Sequence, residues 1–176
     1  PRSTLFPYTT LLRSPNKIAL SWTLGTAIVS FVGAGLLGLA HTLPSVNMYT
    51  HGTLVTAMHG HLAFWGAYGM IVLAIISYTM PNMTGRKRYD NANGQWAFWL
   101  SNIGMIGMTS AFAAAGIAQV YMERIMGLDF GEVQREIQVH FLVLVLCATL
   151  FATGVGFFIY EFAKYGLPTD EALEPQ

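Results

Sequence analysis

Charge is scarce in this sequence. Only 10% of its 176 residues are Asp, Glu, Lys or Arg, whereas a soluble domain carries about 25%. Cysteine is scarcer still. Cys147 stands alone, which excludes an intramolecular disulfide and a thiolate-bound zinc or iron–sulfur site within the chain; it reads as a small residue facing lipid or another helix. The formal net charge of zero says nothing about partners, but no basic face exists, which argues against nucleic-acid binding. The first fourteen residues, PRSTLFPYTTLLRS, have neither a long apolar run nor the layout of a signal peptide. They read as a non-native tail, the translation of a sequencing adaptor, ahead of a native region over 15–176.

What is abundant is apolar sequence: 53% of residues are hydrophobic and the mean hydropathy is +0.47. Four long runs stand out, over about 18–40, 53–80, 95–121 and 137–163. Each exceeds the roughly 20 residues a helix needs to cross a bilayer. The runs are continuous rather than alternating, which excludes barrel strands. Ser14-Pro15 signals the start of the first, Pro81 the end of the second, and Gly166 and Pro168 the end of the fourth. The predicted fold class is an all-α membrane protein with four transmembrane helices in an up-down arrangement, because short connections favour antiparallel neighbours.

The loops predict orientation. Arg86, Lys87 and Arg88 crowd the loop between segments two and three, with Lys17 and Lys164 at the same side. No Lys or Arg lies between segments one and two, and the last loop pairs Arg124 and Arg135 with four acidic residues. The positive-inside rule puts both termini in the cytoplasm. Trp22, Tyr78, Trp96, Trp99, Tyr160 and Tyr165 then form an inner aromatic belt, and Tyr49 and Tyr121 an outer one. Glu161, near the inner end of segment four, is expected to snorkel to the interface. Rows of small residues four apart, Ser30-Ala34-Gly38 and Gly107-Ala111-Ala115, mark candidate helix contacts. The nine methionines read as packing rather than copper ligands.

The chemistry concentrates in Met58-His59-Gly60-His61-Leu62, inside the second run. Ionisable groups in hydrocarbon are costly and mark function. Residues i and i+2 of a helix lie roughly 200° apart, so His59 and His61 project from nearly opposite faces at almost one depth. They cannot chelate one metal together, for which i and i+4 on one face would suit. Each can serve a separate cofactor, and imidazole is a common axial ligand of haem iron. Gly60 between them lets a bulky planar group approach the backbone. With segment two starting near Gly52 at the outer face, the pair lies roughly 10–14 Å along the helix from there. A histidine proton path or a hydrogen bond to a neighbouring helix would also place such residues. Phe64, Trp65 and Tyr68 read equally as haem-edge residues and as helix packing. His41 and His51 sit at a helix mouth, where capping or solvated histidines are common, and His140 reads as structural.

The run His41-Thr42-Leu43-Pro44, then Tyr49-Thr50-His51-Gly52-Thr53, then Met58 through Phe64 with Gly66-Ala67-Tyr68, resembles the large catalytic subunits of bacterial nitric oxide reductases of the cytochrome c-dependent type, in the haem–copper oxidase superfamily. The resemblance covers about residues 15–176 and implies the last four of that subunit's twelve helices, a C-terminal fragment. It implies two haems b, with His59 on the high-spin iron of the catalytic centre, His61 on the low-spin iron that delivers electrons, and His51 near haem propionates. It also implies a non-haem iron in the full protein, whose ligands include an adjacent histidine pair that is missing from this sequence, so the fragment alone is expected to be inactive. The expected partners are a cytochrome c-containing small subunit, nitric oxide and the bilayer of a bacterial inner membrane. Two other readings stay open. One is a cbb-type terminal oxidase subunit that reduces oxygen, distinguished by ligands upstream. The other is a non-redox proton-coupled transporter, which should show inverted repeats or helices broken near the midplane.

Overall fold

A computed structural model describes residues 16–84 and 91–165. The expected tail, the Arg86–Arg88 loop, the Tyr165 belt residue and the Gly166 and Pro168 stop lie outside the described residues and side chains. Among the described residues every regular element is helical, and four helices are long and apolar enough to cross a membrane. Their apolar spans are Lys17–Thr42 in α1, Leu54–Pro81 in α3, Ala92–Ile125 in α4 and Gln138–Lys164 in α6. Two short helices, α2 (Pro44–Thr50) and α5 (Phe130–Glu136), join α1 to α3 and α4 to α6.

Local sequence explains the joints. Asn16 caps α1, its side-chain oxygen accepting from the Ala19 N–H at 3.0 Å. Its Nδ2 donates to the Ser77 carbonyl of α3 at 2.7 Å. That carbonyl is available because its ordinary partner four residues on is Pro81, which has no N–H. Pro81 was expected to end the second helix; the helix instead runs on to Met83 with Pro81 inside it, the freed carbonyl being satisfied from α1. At the other end, Leu43 is extended ahead of Pro44, which opens α2. Gly52, at φ 75°, makes the turn into α3, a conformation that favours glycine.

The bundle closes around aromatic rings. Trp22 of α1 is 1% exposed and meets Trp65 of α3, Phe98 of α4 and Phe158 of α6 edge-on, at centroid distances of 6.0, 5.1 and 6.1 Å. Trp65 also meets Phe151 edge-on at 4.9 Å and donates to Asn102 Oδ1 at 3.2 Å. Trp22 was expected in the inner aromatic belt. It is a core residue instead, because its face of α1 looks at three other helices, while Tyr78, Trp96, Trp99 and Tyr160 are exposed. Glu161 corrects the same way. It is 6% exposed, beside Ile18, Ser77 and Phe158 in a cavity of about 20 Å³, and does not snorkel, since α6 turns that face inward.

Small residues set the helix spacings. On α4, Ala111 and Ala115 are buried as their row predicts, and Gly107 packs on Cys147 of α6. On α1 the row fails at Ala34, which is exposed. The close approach to α3 is made at Gly33, where a Cβ would stand 2.7 Å from the Leu62 carbonyl carbon, and reciprocally at Gly66, where it would stand 2.6 Å from the Ser30 nitrogen.

Candidate functional site

The histidine helix α3 is held at its N-terminal end before any ligand is considered. Thr53 caps it, its Oγ1 accepting from the Val55 N–H at 3.3 Å. The Leu54 N–H donates to Gln119 Oε1 of α4 at 3.0 Å, and Gln119 Nε2 donates to Glu123 Oε1 at 2.9 Å. Gln119 is 4% exposed, so this bridge is made away from water. Arg124 donates to the His51 carbonyl at 3.3 Å, tying the preceding turn to α4 as well.

One turn further in, the stretch Leu54–Phe64 is regular α-helix, so the two-residue spacing puts His59 and His61 on different sides. His59 is half-buried towards α1, its Nδ1 2.8 Å from the Gly33 carbonyl. His61 is exposed on the other side, its Nδ1 2.8 Å from the Ala57 carbonyl one turn back, and its ring 5.0 Å from that of Phe112 of α4. A carbonyl oxygen only accepts. The donor in each contact is therefore Nδ1–H, and in the neutral tautomer that makes it the lone pair lies on Nε2, the atom free to ligate a metal.

Why the Gly33 carbonyl is free to accept lies in α1. Residues Phe31–Leu36 form a turn of π-helix. The N–H of Leu37, which in an α-helix would bond Gly33, bonds Val32 instead. The carbonyl released from its ordinary donor is the one that orients His59. On the opposite edge of the pair, Gly60 is bare: a Cβ there would meet nothing within 4 Å.

The other histidines fall into place. His41, near the end of α1, was expected to cap or be solvated. It lies instead against His59, rings stacked at 4.8 Å and 20°, with Nδ1 2.8 Å from the Leu37 carbonyl. His51 is exposed in the turn before α3, some two helical turns ahead of His59. His140 sits in the first turn of α6, with Nδ1 3.1 Å from the Ile137 carbonyl. Trp65 serves the core, whereas Phe64 and Tyr68 are exposed on α3 and pack on each other at 5.7 Å. Among the described residues no three His, Cys, Asp or Glu side chains converge. Sequence reasoning missed Gly33, Phe112 and Gln119. Gln119 left one signal, a carboxamide inside an apolar run, while nothing in the sequence marks a carbonyl released by a π turn.

Known proteins extend the picture. The profile of the family described as cytochrome c and quinol oxidase polypeptide I matches residues 4–150. A nitric oxide reductase subunit of Stutzerimonas stutzeri is 40% identical over 160 residues, 86% of this chain and 34% of that protein. A cytochrome c oxidase subunit 1 homolog of Agrobacterium tumefaciens (strain T37) is 35% identical over 98 residues, 54% of this chain and 18% of its own length. Cytochrome c oxidase subunit 1 of Rhodobacter capsulatus is 32% identical over 84 residues, 47% of this chain and 16% of its own. The chain thus spans about a third or less of the length of each of these relatives. By the extent of the profile match, and in keeping with its four apolar helices, the chain belongs to the cytochrome c and quinol oxidase polypeptide I family, the haem–copper oxidase subunit I proteins.

Proposed function

We propose that this chain forms part of the catalytic subunit of a bacterial nitric oxide reductase, a multi-pass protein of the inner membrane, and that α3 carries one axial ligand to each of two haems b. The observation that carries the reading is the shared state of two histidines on opposite sides of one helix. His59 and His61 each give Nδ1–H to a backbone carbonyl at 2.8 Å, which holds each ring and leaves Nε2 as the ligating nitrogen. A ligating histidine is held in the same way by a carbonyl or carboxylate. The residues present fit the group: neutral imidazoles as donors, bare backbone at Gly60, and an aromatic wall at Phe112 beside His61. Haem iron, when bound, supplies electron transfer and a site for a diatomic substrate.

This chain's own residues orient and separate. His59 is assigned to the high-spin iron, with the Gly33 carbonyl setting its plane. His61 is assigned to the low-spin iron that receives electrons from a cytochrome c-containing partner subunit. His51 is assigned to the haem propionates near the outer end of α3. The reaction is two nitric oxide molecules, two electrons and two protons to nitrous oxide and water. The non-haem iron belongs to ligands that this sequence does not supply. Both termini of the helical region face the cytoplasm, on the loop charges given above. The reductase is favoured over an oxygen-reducing oxidase because its resemblance is both higher and longer, 40% over 86% of the chain against 35% over 54%.

The test is made in the complete protein. His61→Ala should abolish the low-spin haem signal, and His59→Ala should spare it while damaging the high-spin one, with nitric oxide consumption lost in both. Two unchanged haem signals would defeat the ligand reading, and swapped losses would reverse the assignment. Turnover of oxygen but not of nitric oxide by the unaltered protein would move it to the oxidases.

A further inference from the structure

We propose that His41 is a positioning residue for His59, a flat ring that fixes the plane in which His59 presents Nε2. The proposal rests on the haem-ligand reading of His59. It grows out of the geometry of α1. Gly33 lies within the π turn of that helix and Leu37 directly after it. Each carbonyl holds one imidazole by its Nδ1, at 2.8 Å in both cases. The two grips leave the rings parallel to within 20°, with centroids 4.8 Å apart.

One hydrogen bond anchors an imidazole at a single atom and lets the ring swing about that contact. A second ring stacked on its face removes the swing. His41 can do this because its own Nδ1 is tethered; an untethered ring would slide. Its Nε2 is buried and has no hydrogen-bond partner among the described residues, so no competing contact pulls the ring out of the stack. Leaving such an atom unpaired is unfavourable. An apolar ring would escape that cost but could not be tethered to Leu37. The choice of histidine at position 41 is accounted for by the need for both a tether and a flat face.

The experiment reads the iron–imidazole stretching band of the ferrous high-spin haem by resonance Raman spectroscopy in the complete holoprotein, with the low-spin spectrum as the internal measure of assembly. His41→Ala should broaden and shift that band and lower turnover roughly tenfold, the lower end of the range for residues that orient a metal ligand. His41→Phe, which keeps a flat ring but loses the tether to Leu37, should restore the band only in part. His41→Asn, which keeps a donor for Leu37 without a ring, should not. If His41→Ala fails to assemble, the Phe and Asn variants carry the same contrast. A band unchanged in His41→Ala, or restored by Asn and not by Phe, overturns the proposal. The haem-ligand reading fails separately, when His59→Ala leaves the band in place.

Discussion

Gly33→Ala tests the link between helix packing and ligand geometry with a single methyl group. The new Cβ would stand 2.7 Å from the Leu62 carbonyl carbon and 2.8 Å from the Ala63 nitrogen and the Leu62 oxygen. All three are backbone atoms, so no side chain can swing away. Ordinary contact begins near 3.4 Å, and going from 2.7 to 3.4 Å opens the helices by about 0.7 Å. The hydrogen bond from His59 to the Gly33 carbonyl bridges that gap. Lengthened from 2.8 Å by the same amount it reaches about 3.5 Å, where a hydrogen bond is all but lost. Overpacking of this kind costs about 1–3 kcal/mol, and the bond itself about another 1 kcal/mol. Gly35→Ala is the matched control, since its nearest neighbour is a Phe31 side-chain carbon at 3.8 Å. In the complete protein, Gly33→Ala should lower the thermal midpoint and disturb the high-spin haem while leaving the low-spin signal, and Gly35→Ala should do neither. A Gly33→Ala protein with unaltered stability and an unaltered high-spin signal would refute the claim that α1 sets the plane of His59.

Two further outcomes are expected. Gly60→Ala meets nothing within 4 Å in this chain, so it should leave the stability of the helices intact yet reduce haem content of the complete protein, because the methyl group occupies backbone surface that the planar groups approach; full haem content would show that Gly60 is not part of the cradle. Gln119→Leu should orphan the Leu54 N–H and cost about 1–3 kcal/mol, read as a lower thermal midpoint and faster hydrogen exchange at the Leu54 amide, whereas unchanged exchange would mean that water or the Thr53 cap replaces the bridge.

The four helices were legible because an apolar run of that length has one outcome in a membrane, and the histidine pair because its cost in hydrocarbon demands a use. His59 and His61 lie on opposite faces, as their spacing predicts, for a local reason: Leu54–Phe64 is regular helix, with about 3.6 residues per turn throughout. Where the helix is irregular the same arithmetic misled. The row Ser30-Ala34-Gly38 assumes a uniform period across Phe31–Leu36, but a π turn sits there and moves the contact to Gly33. Trp22 and Glu161 were misplaced for a different reason. Sequence gives their distance from the helix end but not which face looks inward, and for an amphipathic side chain those two facts predict opposite environments.

The anchoring of α3 bears on why both histidines should share one helix. Its N-terminal end is fixed by Gln119 through the Leu54 N–H, its middle by backbone contact of Gly33 with Leu62 and of Gly66 with Ser30, and its C-terminal end by Asn16 through the Ser77 carbonyl. A rigid-body tilt of the helix would still carry His59 and His61 together, because only the single residue Gly60 separates them. Two ligands on different helices would drift apart with every change in helix packing or bilayer thickness. Two ligands on adjacent turns of one face would compete for the same space. The two-residue spacing meets both demands, holding the proposed electron-delivering and catalytic centres at a separation set by covalent geometry, so that the helix contacts need only fix the plane of each ring. That division predicts where tolerance lies: substitutions that shift α3 bodily should change haem content for both centres, whereas those at Gly33 or His41 should act on His59 alone.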